Sequence, residues 1–349
     1  MKKIIKKIFE ISRIISIVFV LHCCIDDNIL PPLTGKLNPT AELLVYFETI
    51  GDFANSELAP ALIDAEEVYA NINNYLIIDV RDNSDFMAGH IEGAVNVQND
   101  SLYSYIKNLN QNLYPKVVLV SSNGHRSAYY VCLLRLSGFN NIYTLNFGMA
   151  AWNINFADEW LNALKNDSAR ISFNNNYYPK GEFTNLPEII FENPTASLQE
   201  RVEKRIESFI KTGFTKVNQY RSRFYFFSND FLVCYGKSRL YRSPISAAVD
   251  PGRGHAAGTI HYADEQFFEL RAVQYLQTLP ADRAILIYGY NGQLSACMTA
   301  YLRVLGYDAI SLEFGANQIF YNRMLDDPEL YAYAFDHTDI KNFPYVIGN

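Results

Sequence analysis

The sequence predicts an α/β protein made of two similar domains, each a mainly parallel sheet with helices on both faces. Short apolar segments alternate with longer segments of helical character, an order typical of parallel sheets covered by helices. Three blocks of sequence also occur twice in the same order. With 349 residues, 49% of them hydrophobic, the chain can bury the cores of two domains.

The internal repeat rests on three pairs of segments. GHIEGAVNV (89–97) recurs as GHAAGTIHY (254–262), SSNGHRSAYYVCLLRLSGF (121–139) as GYNGQLSACMTAYLRVLGY (289–307), and LNFG (145–148) as LEFG (312–315). The offsets are 165, 168 and 167 residues, and three matches at nearly one offset indicate a duplication. The predicted domain organisation is a first domain at 37–165, a linker at 166–195 and a second domain at 196–349.

The elements of the first copy follow from local patterns. Asp64 and Glu67 form a capping-box pattern before the helix AEEVYANI. The helix SAYYVCLLRLSG is expected to end at Gly138, because glycine readily adopts the left-handed conformation that terminates helices. The predicted strands are YLIIDV (75–80), KVVLV (116–120) and NIYTL (141–145).

The second copy repeats this order. Ser197 and Glu200 form another capping-box pattern, ahead of the helix QERVEKRIESFIKTGF, and a later helix is expected to end at Gly306. The predicted strands are FLVCYG (231–236), AILIYGY (284–290) and AISLEF (309–314). The preceding stretch is polar, rich in asparagine and without periodicity, which is why we assign 166–195 as a linker.

Residues 1–24 have the order of an export signal: a lysine-rich start, an apolar run from Ile14 to Leu21, and a cysteine pair. The apolar run is too short to span a bilayer. The cysteines resemble the lipidated cysteine of bacterial lipoproteins, although the residue before them is not small. We therefore expect a lipid anchor on Cys23 or Cys24, a tether at 25–36, and a location in the bacterial cell envelope. The alternatives are a secreted or periplasmic protein, an uncleaved anchor, or a cytoplasmic helix.

Both copies resemble the rhodanese (thiosulfate sulfurtransferase) domain. The resemblance rests on LIIDVRDNSDFMAGHIEGAVNV with LVSSNGHRSAYYVCLLRLSGFNNIYTLNFGMAAW, and on ILIYGYNGQLSACMTAYLRVLGYDAISLEFG. It implies two rhodanese-like domains and an active loop of pattern CxxGxRS, whose cysteine carries sulfur as a persulfide. In that loop, backbone N–H groups and the N-terminus of the following helix lower the pKa of the thiol.

The nucleophilic cysteine is replaced in both copies. Ser121 stands at its position in the first loop, with Gly124, Arg126 and Ser127 matching the pattern. Gly289 stands there in the second loop, which keeps a glycine and a serine and has Leu294 at the arginine position. The candidate anion-binding residues are Ser121, Ser122, Asn123, Gly124, His125, Arg126 and Ser127 in the first loop, and Gly289, Gly292, Gln293 and Ser295 in the second. The resemblance further implies that Asp79 and Arg81 brace the first loop.

The loss of both cysteines predicts a catalytically degenerate protein, because a serine hydroxyl is far less acidic than a thiol and cannot carry a persulfide. The function expected is a binding or scaffold module in the envelope, with a small anion as candidate ligand of the 121–127 loop. The alternative is a sulfurtransferase or a phosphatase-like hydrolase acting through other residues. Cys132, Cys234 and Cys297 lie in apolar surroundings, which is typical of buried structural cysteines.

The expected partners are a small anion, a protein not identified by the sequence, and the membrane through the lipid anchor. A net charge of −7 argues against a nucleic-acid partner. No cofactor is expected. No metal site is expected either, because no pair of Cys or His residues has the spacing of zinc ligands.

Overall fold

In the computed structural model, two five-stranded parallel sheets form the centre of the protein. The residues described are 38–51, 59–166, 173–182, 185–217, 230–243, 254–263, 269–271 and 273–348. The predicted signal, both candidate lipidation cysteines and the tether lie outside this part of the chain.

The two sheets have the same strand order. The first contains β1 (Leu62–Ile63), β2 (Leu76–Asp79), β3 (Val95–Asn96), β4 (Val117–Val120) and β5 (Ile142–Leu145), in the order β1-β5-β4-β2-β3. The second contains β7 (Lys216–Val217), β8 (Phe231–Tyr235), β10 (Ile260–Tyr262), β11 (Ile285–Tyr288) and β12 (Ala309–Leu312), in the order β7-β12-β11-β8-β10. All neighbouring strands in both sheets are parallel. The predicted fold class is confirmed.

Helices accompany both sheets. Those of the first half are α1 (Pro39–Thr49), α2 (Ala65–Ala70), α3 (Asn83–Ala88), α4 (Asn99–Asn108), α5 (His125–Leu136), α6 (Met149–Trp152) and α7 (Asp158–Ala163). Those of the second half are α8 (Leu198–Thr212), α9 (Ser238–Tyr241), α10 (Val273–Leu276), α11 (Gln293–Val304), α12 (Ala316–Ile319) and α13 (Tyr321–Asp326). None of the described helices has the length and apolar character needed to cross a bilayer.

The helix-end predictions had different outcomes. The capping box of Ser197 and Glu200 is confirmed at the start of α8. The box predicted for Asp64 is wrong: α2 does begin after Asp64, but the Asp64 carboxylate accepts a hydrogen bond from Asn146 Nδ2 at 3.1 Å and does not cap the helix. A residue 82 positions away in sequence therefore takes the carboxylate that the local pattern assigns to the helix end.

Strands β2, β4, β11 and β12 are buried along their whole length, and because successive side chains point to opposite sides of a sheet, both of their faces are covered. Ile78 and Leu119 belong to a large inner core that also contains Ile287 of the second sheet and the facing sides of α5 and α11. Ile77 and Val118 belong to a separate core on the outer face of the first sheet. Helices α5 and α11, which follow the two candidate loops, pack directly against each other.

Segments from each end of the described chain cross between the halves. In α1, Thr40 Oγ1 bonds to the carbonyl oxygens of Pro187 at 2.7 Å and of Leu305 at 3.1 Å, so this helix is held by the second half. Residues 341–348, the C-terminal strap, return to the first half. There Phe343 N–H donates to Trp152 O, and His90 and Val346 exchange both backbone hydrogen bonds, each at 2.9 Å.

The predicted linker is described in part and contributes to the packing. It contains β6 (Phe173–Asn174), which pairs antiparallel with β9 (His255–Ala256), and Ile189 is buried in the inner core. Residues 39–349 form one compact unit.

Candidate functional site

The two candidate loops occupy equivalent places. Ser121 directly follows β4 and precedes α5, and Gly289 directly follows β11 and precedes α11. Both strands are central in their sheets, where the carboxyl ends of parallel strands face ligands in α/β folds. Gly124 and Gly292 begin the helices with φ of +85° and +89°, a left-handed conformation that glycine adopts without strain.

In the first loop, the Ser121 hydroxyl lies where the resemblance places a sulfur atom. Its Oγ accepts the backbone N–H of Gly124 at 3.1 Å and of Ser127 at 3.3 Å, and lies 3.0 Å from Ser127 Oγ. Ser121 is only 2% exposed. The loop therefore directs its N–H groups at its own serine oxygen, which has neither the acidity nor the size of a thiolate.

The second loop has the same backbone without a side chain at this position. Ser295 Oγ donates to Gly292 O at 3.0 Å and lies 3.0 Å from Ser311 Oγ, as Ser127 Oγ does toward Gly124 O and Thr144 in the first loop. Gly289 is buried and contributes only backbone atoms. The second loop thus keeps the scaffold of the site and no reacting group.

The LNFG and LEFG blocks hold the loops in place. Met149 N–H donates to Ser121 O, and Ala316 N–H donates to Gly289 O, each at 2.9 Å. A Cβ atom on Gly148 would collide with the backbone of the first loop, so the approach requires glycine. The sequence analysis found these blocks as repeats but did not assign them this clamping contact.

Side chains from each loop reach into the opposite domain. His125 Nε2 lies 2.9 Å from Asn291 O and 3.3 Å from Phe314 N, and we assign its hydrogen to the shorter contact because one nitrogen cannot serve both. Gln293, which occupies the position equivalent to His125, accepts the Phe147 N–H through Oε1 at 3.3 Å. His125 and Gln293 are both fully buried. The two loops therefore face each other, and each shields the other from solvent.

A buried carboxylate lies beside this contact. Glu313 Oε1 is 2.9 Å from Lys216 Nζ, 3.5 Å from His125 Nδ1 and 3.3 Å from Asn123 Nδ2, and Glu313 is 3% exposed. Burial alone would raise the pKa of Glu313, but its neighbours His125 and Lys216 together lower it below its ordinary value. The sequence analysis missed Glu313; the only signal was its place in LEFG, where the first copy has Asn146.

Arg126 lies at the outer edge of the first loop. Its Nη1 is 3.3 Å from Val80 O and 3.4 Å from Asp82 Oδ1, and the side chain is 40% exposed. The guanidinium therefore rests on the turn after β2 and is paired there with a carboxylate.

Asp79 and Arg81 form a buried ion pair at the end of β2. Arg81 Nη2 donates to Asp79 Oδ2 at 2.6 Å and to Gly89 O at 2.7 Å, so the pair holds the turn that begins the GHIEG block. Its link to the first loop is through the sheet, because Val80 N–H donates to Val120 O immediately before Ser121. His90 Nδ1 lies 2.9 Å from Phe86 O, so its ring is held in the same turn by a hydrogen bond to the backbone.

The remaining nucleophile and metal candidates do not form a second centre among the described residues. Cys132, Cys234 and Cys297 are fully buried, and none of them forms a disulfide bond within the described part of the chain. In the same part of the chain, no cluster of three or more His, Cys, Asp or Glu side chains has an arrangement that could hold a metal ion.

The rhodanese-like domain family matches residues 64–155, a range that contains β2, the first loop and α5. The thiosulfate sulfurtransferase GlpE of Pseudomonas entomophila is 31% identical over 84 residues, which are 24% of this chain and 75% of that protein. GlpE of Shewanella oneidensis is 34% identical over 79 residues, covering 22% and 74%. The chain belongs to the rhodanese-like family.

Solved rhodanese structures also align with this rhodanese-like chain. A rhodanese-related protein from Thermoplasma volcanium is 28% identical, over 28% of this chain and 90% of that chain, with a TM-score of 0.24. The 3-mercaptopyruvate sulfotransferase SseA from Escherichia coli is 16% identical, over 72% and 97%, with a TM-score of 0.25. The fold assignment therefore rests on the strand order of this protein.

Proposed function

We propose that this rhodanese-like protein is a catalytically inactive pair of rhodanese-like domains that serves as a binding or scaffold module in the bacterial cell envelope. The observation that carries the proposal is the Ser121 hydroxyl, which occupies the centre of the first loop and accepts its N–H groups. A hydroxyl cannot take and release sulfur as a thiolate does. Gly289 offers no side chain for the same step.

A remote cysteine is a poor substitute nucleophile. Cys132, Cys234 and Cys297 are 0% exposed, and burial in apolar surroundings disfavours the thiolate that sulfur transfer needs. A sulfurtransferase acting through these residues would have to open its core to reach a donor. We therefore favour a catalytically inactive module over the sulfurtransferase alternative.

The proposal includes anion binding at the 121–127 loop, but only in an arrangement in which the loop is accessible. Ser121, His125 and Ser127 are buried, and the opposite domain covers the loop. A small anion would enter only after the two loops separate, and it would replace the Ser121 hydroxyl as acceptor of the N–H groups. While the two loops cover each other, we expect partner proteins to bind to the outer surface of the module.

A phosphatase-like hydrolase is the second candidate. The retained Gly124, Arg126 and Ser127 favour it, because an arginine loop can hold a phosphoryl group. The position of Arg126 on Asp82 weighs against it, since the guanidinium is paired outside the loop. Hydrolysis of p-nitrophenyl phosphate that is lost in Arg126→Gln would support this candidate over the inactive module.

The test is sulfur transfer from thiosulfate to cyanide by the full chain. Wild-type protein is expected to show background rates. Ser121→Cys is expected to restore part of the activity, because backbone N–H groups already point at that side chain and Arg126 lies nearby. Gly289→Cys should restore less, because Leu294 replaces the arginine and a Cβ there would lie 3.3 Å from Tyr235 O.

Ser122→Cys is the matched control, because it adds a thiol to the same loop beside the site. Its rate should equal that of wild type. Robust turnover by the unmodified chain would contradict the inactive proposal. Equal rescue at 121 and 289 would leave the inactive proposal standing and refute the part assigned to Arg126.

We also propose attachment to the membrane through Cys23 or Cys24. Growth with labelled palmitate should label the wild-type protein and not the variant with both cysteines changed to alanine. Label that persists in the double variant would contradict the lipid anchor. Processing of this kind attaches more than one acyl chain, which firm membrane binding requires.

A further inference from the structure

A pocket of about 210 Å³ lies between α8 and residues 190–196, away from both loops. Its apolar wall includes Ile190, Phe191 and Phe209, and Ile190 is 93% exposed. An apolar cavity of about 150 Å³ is enough to hold a benzene-sized molecule. The pocket is therefore large enough for a ligand with one aromatic ring.

Cationic side chains stand beside these rings. Arg201, Lys204 and Arg205 line the pocket with a single acidic side chain, Glu192, although the whole chain carries a net charge of −7. Such a local excess of positive charge in an acidic protein attracts anions.

The arginines are fixed by their surroundings. Arg201 Nη1 donates to Glu42 Oε2 at 3.3 Å, and its guanidinium lies over the Phe191 ring at 4.7 Å. Arg205 donates through Nε to Val304 O at 2.7 Å and through Nη2 to the next carbonyl oxygen toward the N-terminus at 3.0 Å. These bonds hold the cations in place with little freedom left to lose on binding.

Two groups keep unused donors. Lys204 is exposed and forms no ion pair with any described residue. Arg201 Nε is buried and has no hydrogen-bond partner in the described part of the chain. An unmatched buried donor is unfavourable, so a small shift of Arg201 that brought this N–H to a ligand acceptor would recover the missing bond.

We propose that this pocket binds a small organic anion with an apolar body of about one ring, of which benzoate is the simplest representative. The ring would lie against Phe191 and Phe209, and the carboxylate would be bound by Lys204 and Arg201. This site is independent of the sulfur chemistry of the loops. The pocket joins the linker to α1 and α11 through Arg201 and Arg205. Ligand binding there should therefore also stabilise the folded protein.

The experiment is calorimetric titration of the full chain with three probes. Benzoate carries both features, benzamide has the ring without the charge, and acetate has the charge without the ring. We expect benzoate to bind at least about tenfold more tightly than either of the others, because each lacks one set of contacts. No benzoate binding at about 10 mM, with no rise in melting temperature, would overturn the proposal.

Two variants locate the site. Lys204→Gln should lower the affinity for benzoate about 3- to 10-fold, because the carboxylate loses a charged partner. Lys211→Gln is its matched control, because it removes the same charge from the same helix, where Lys211 is paired with Glu207 at 2.8 Å. Equal loss in both variants would reject the site in favour of a general charge effect.

Ser208→Trp fills the pocket from an exposed position on α8. It should abolish benzoate binding while leaving the unfolding midpoint near that of wild type. Unchanged binding in this folded variant would place the anion elsewhere and refute the proposal.

Discussion

Nε2 of His125 lies 2.9 Å from the carbonyl oxygen of Asn291, so a side chain of one candidate loop is bonded to the backbone of its counterpart in the other domain. Gln293, at the equivalent position of the second loop, accepts the N–H of Phe147 in the first domain. Two positions that the repeat makes equivalent thus close the two loops against each other. The closure explains why Ser121 is buried although it stands where a rhodanese carries its reacting atom.

Gly292→Ala is expected to destabilise the protein more than Gly124→Ala, and both more than Gly138→Ala. All three have φ between +85° and +92°, so each alanine costs about 1–2 kcal/mol of backbone strain. A Cβ at Gly138 meets nothing within 4 Å, one at Gly124 lies 2.7 Å from Nε2 of the Gln293 side chain, and one at Gly292 lies 2.7 Å from the backbone N of Phe314. Urea unfolding measures the order; equal losses at the three sites would contradict the closed loops.

Glu313→Gln is expected to lower the unfolding free energy at pH 7 by about 1–3 kcal/mol, because it leaves the Lys216 ammonium and the buried His125 ring without their carboxylate partner. Since the folded pKa of Glu313 lies below its ordinary value, its contribution is complete above the unfolded pKa of about 4.3 and is lost as pH falls through the folded pKa. Below about pH 4 the wild type should therefore lose stability more steeply than the variant.

The matched control for this prediction is Glu159→Gln. Glu159 also accepts from Asn123 Nδ2, at 3.0 Å, but it is exposed, so its replacement should cost under about 1 kcal/mol. The measurement is urea unfolding from pH 3 to 7. Parallel pH profiles for wild type and Glu313→Gln would rule out the role assigned to the buried pair.

His255→Asn is expected to flatten the pH dependence of stability between about pH 6.5 and 4. Burial lowers the pKa of His255 to about 4, against the raising effect of its hydrogen bond to Tyr241 O. The unfolded chain therefore takes up the proton first as pH falls, and stability that is complete above about 6.5 is lost at up to about 1.4 kcal/mol per pH unit. Asparagine can keep the bond to Tyr241 O without titrating.

His337→Asn serves as control for the histidine prediction, because His337 is exposed. It should leave the slope between pH 4 and 6.5 as in wild type. The readout is the unfolding free energy from urea titrations at half-unit pH steps. A slope that persists in His255→Asn would show that another group titrates in this window.

Phe343→Ala is expected to lower the unfolding free energy by about 1–3 kcal/mol through loss of the C-terminal strap. The Phe343 ring stacks on Tyr69 at 4.1 Å and meets Trp152 at 5.1 Å, both in the first domain. Ile347→Ala, in the same strap but 72% exposed, should stay within about 0.5 kcal/mol of wild type. Thermal or urea unfolding compares the two; equal effects would mean that the strap is not held through Phe343.

Local sequence patterns were sufficient to predict the secondary structure around the candidate site. The apolar segments before Ser121 and Gly289 became central strands, because four consecutive buried residues leave little alternative in a helix-covered sheet. The helices after them stop next to Gly138 and Gly306, as predicted, because both glycines adopt positive φ. The repeat likewise determined that the two loops are equivalent.

The partners of the buried polar side chains depend on long-range packing and could not be predicted from local patterns. Periodicity reports that a residue is buried but not against which partner, so it could not show that His125 contacts Asn291, or that Glu313 lies beside Asn123 from 190 positions away. The same reason explains Asp64, whose carboxylate bonds to Asn146 in place of its own helix. Long-range packing energy outweighs a capping bond of about 1 kcal/mol. A local sequence pattern carries no information about long-range partners.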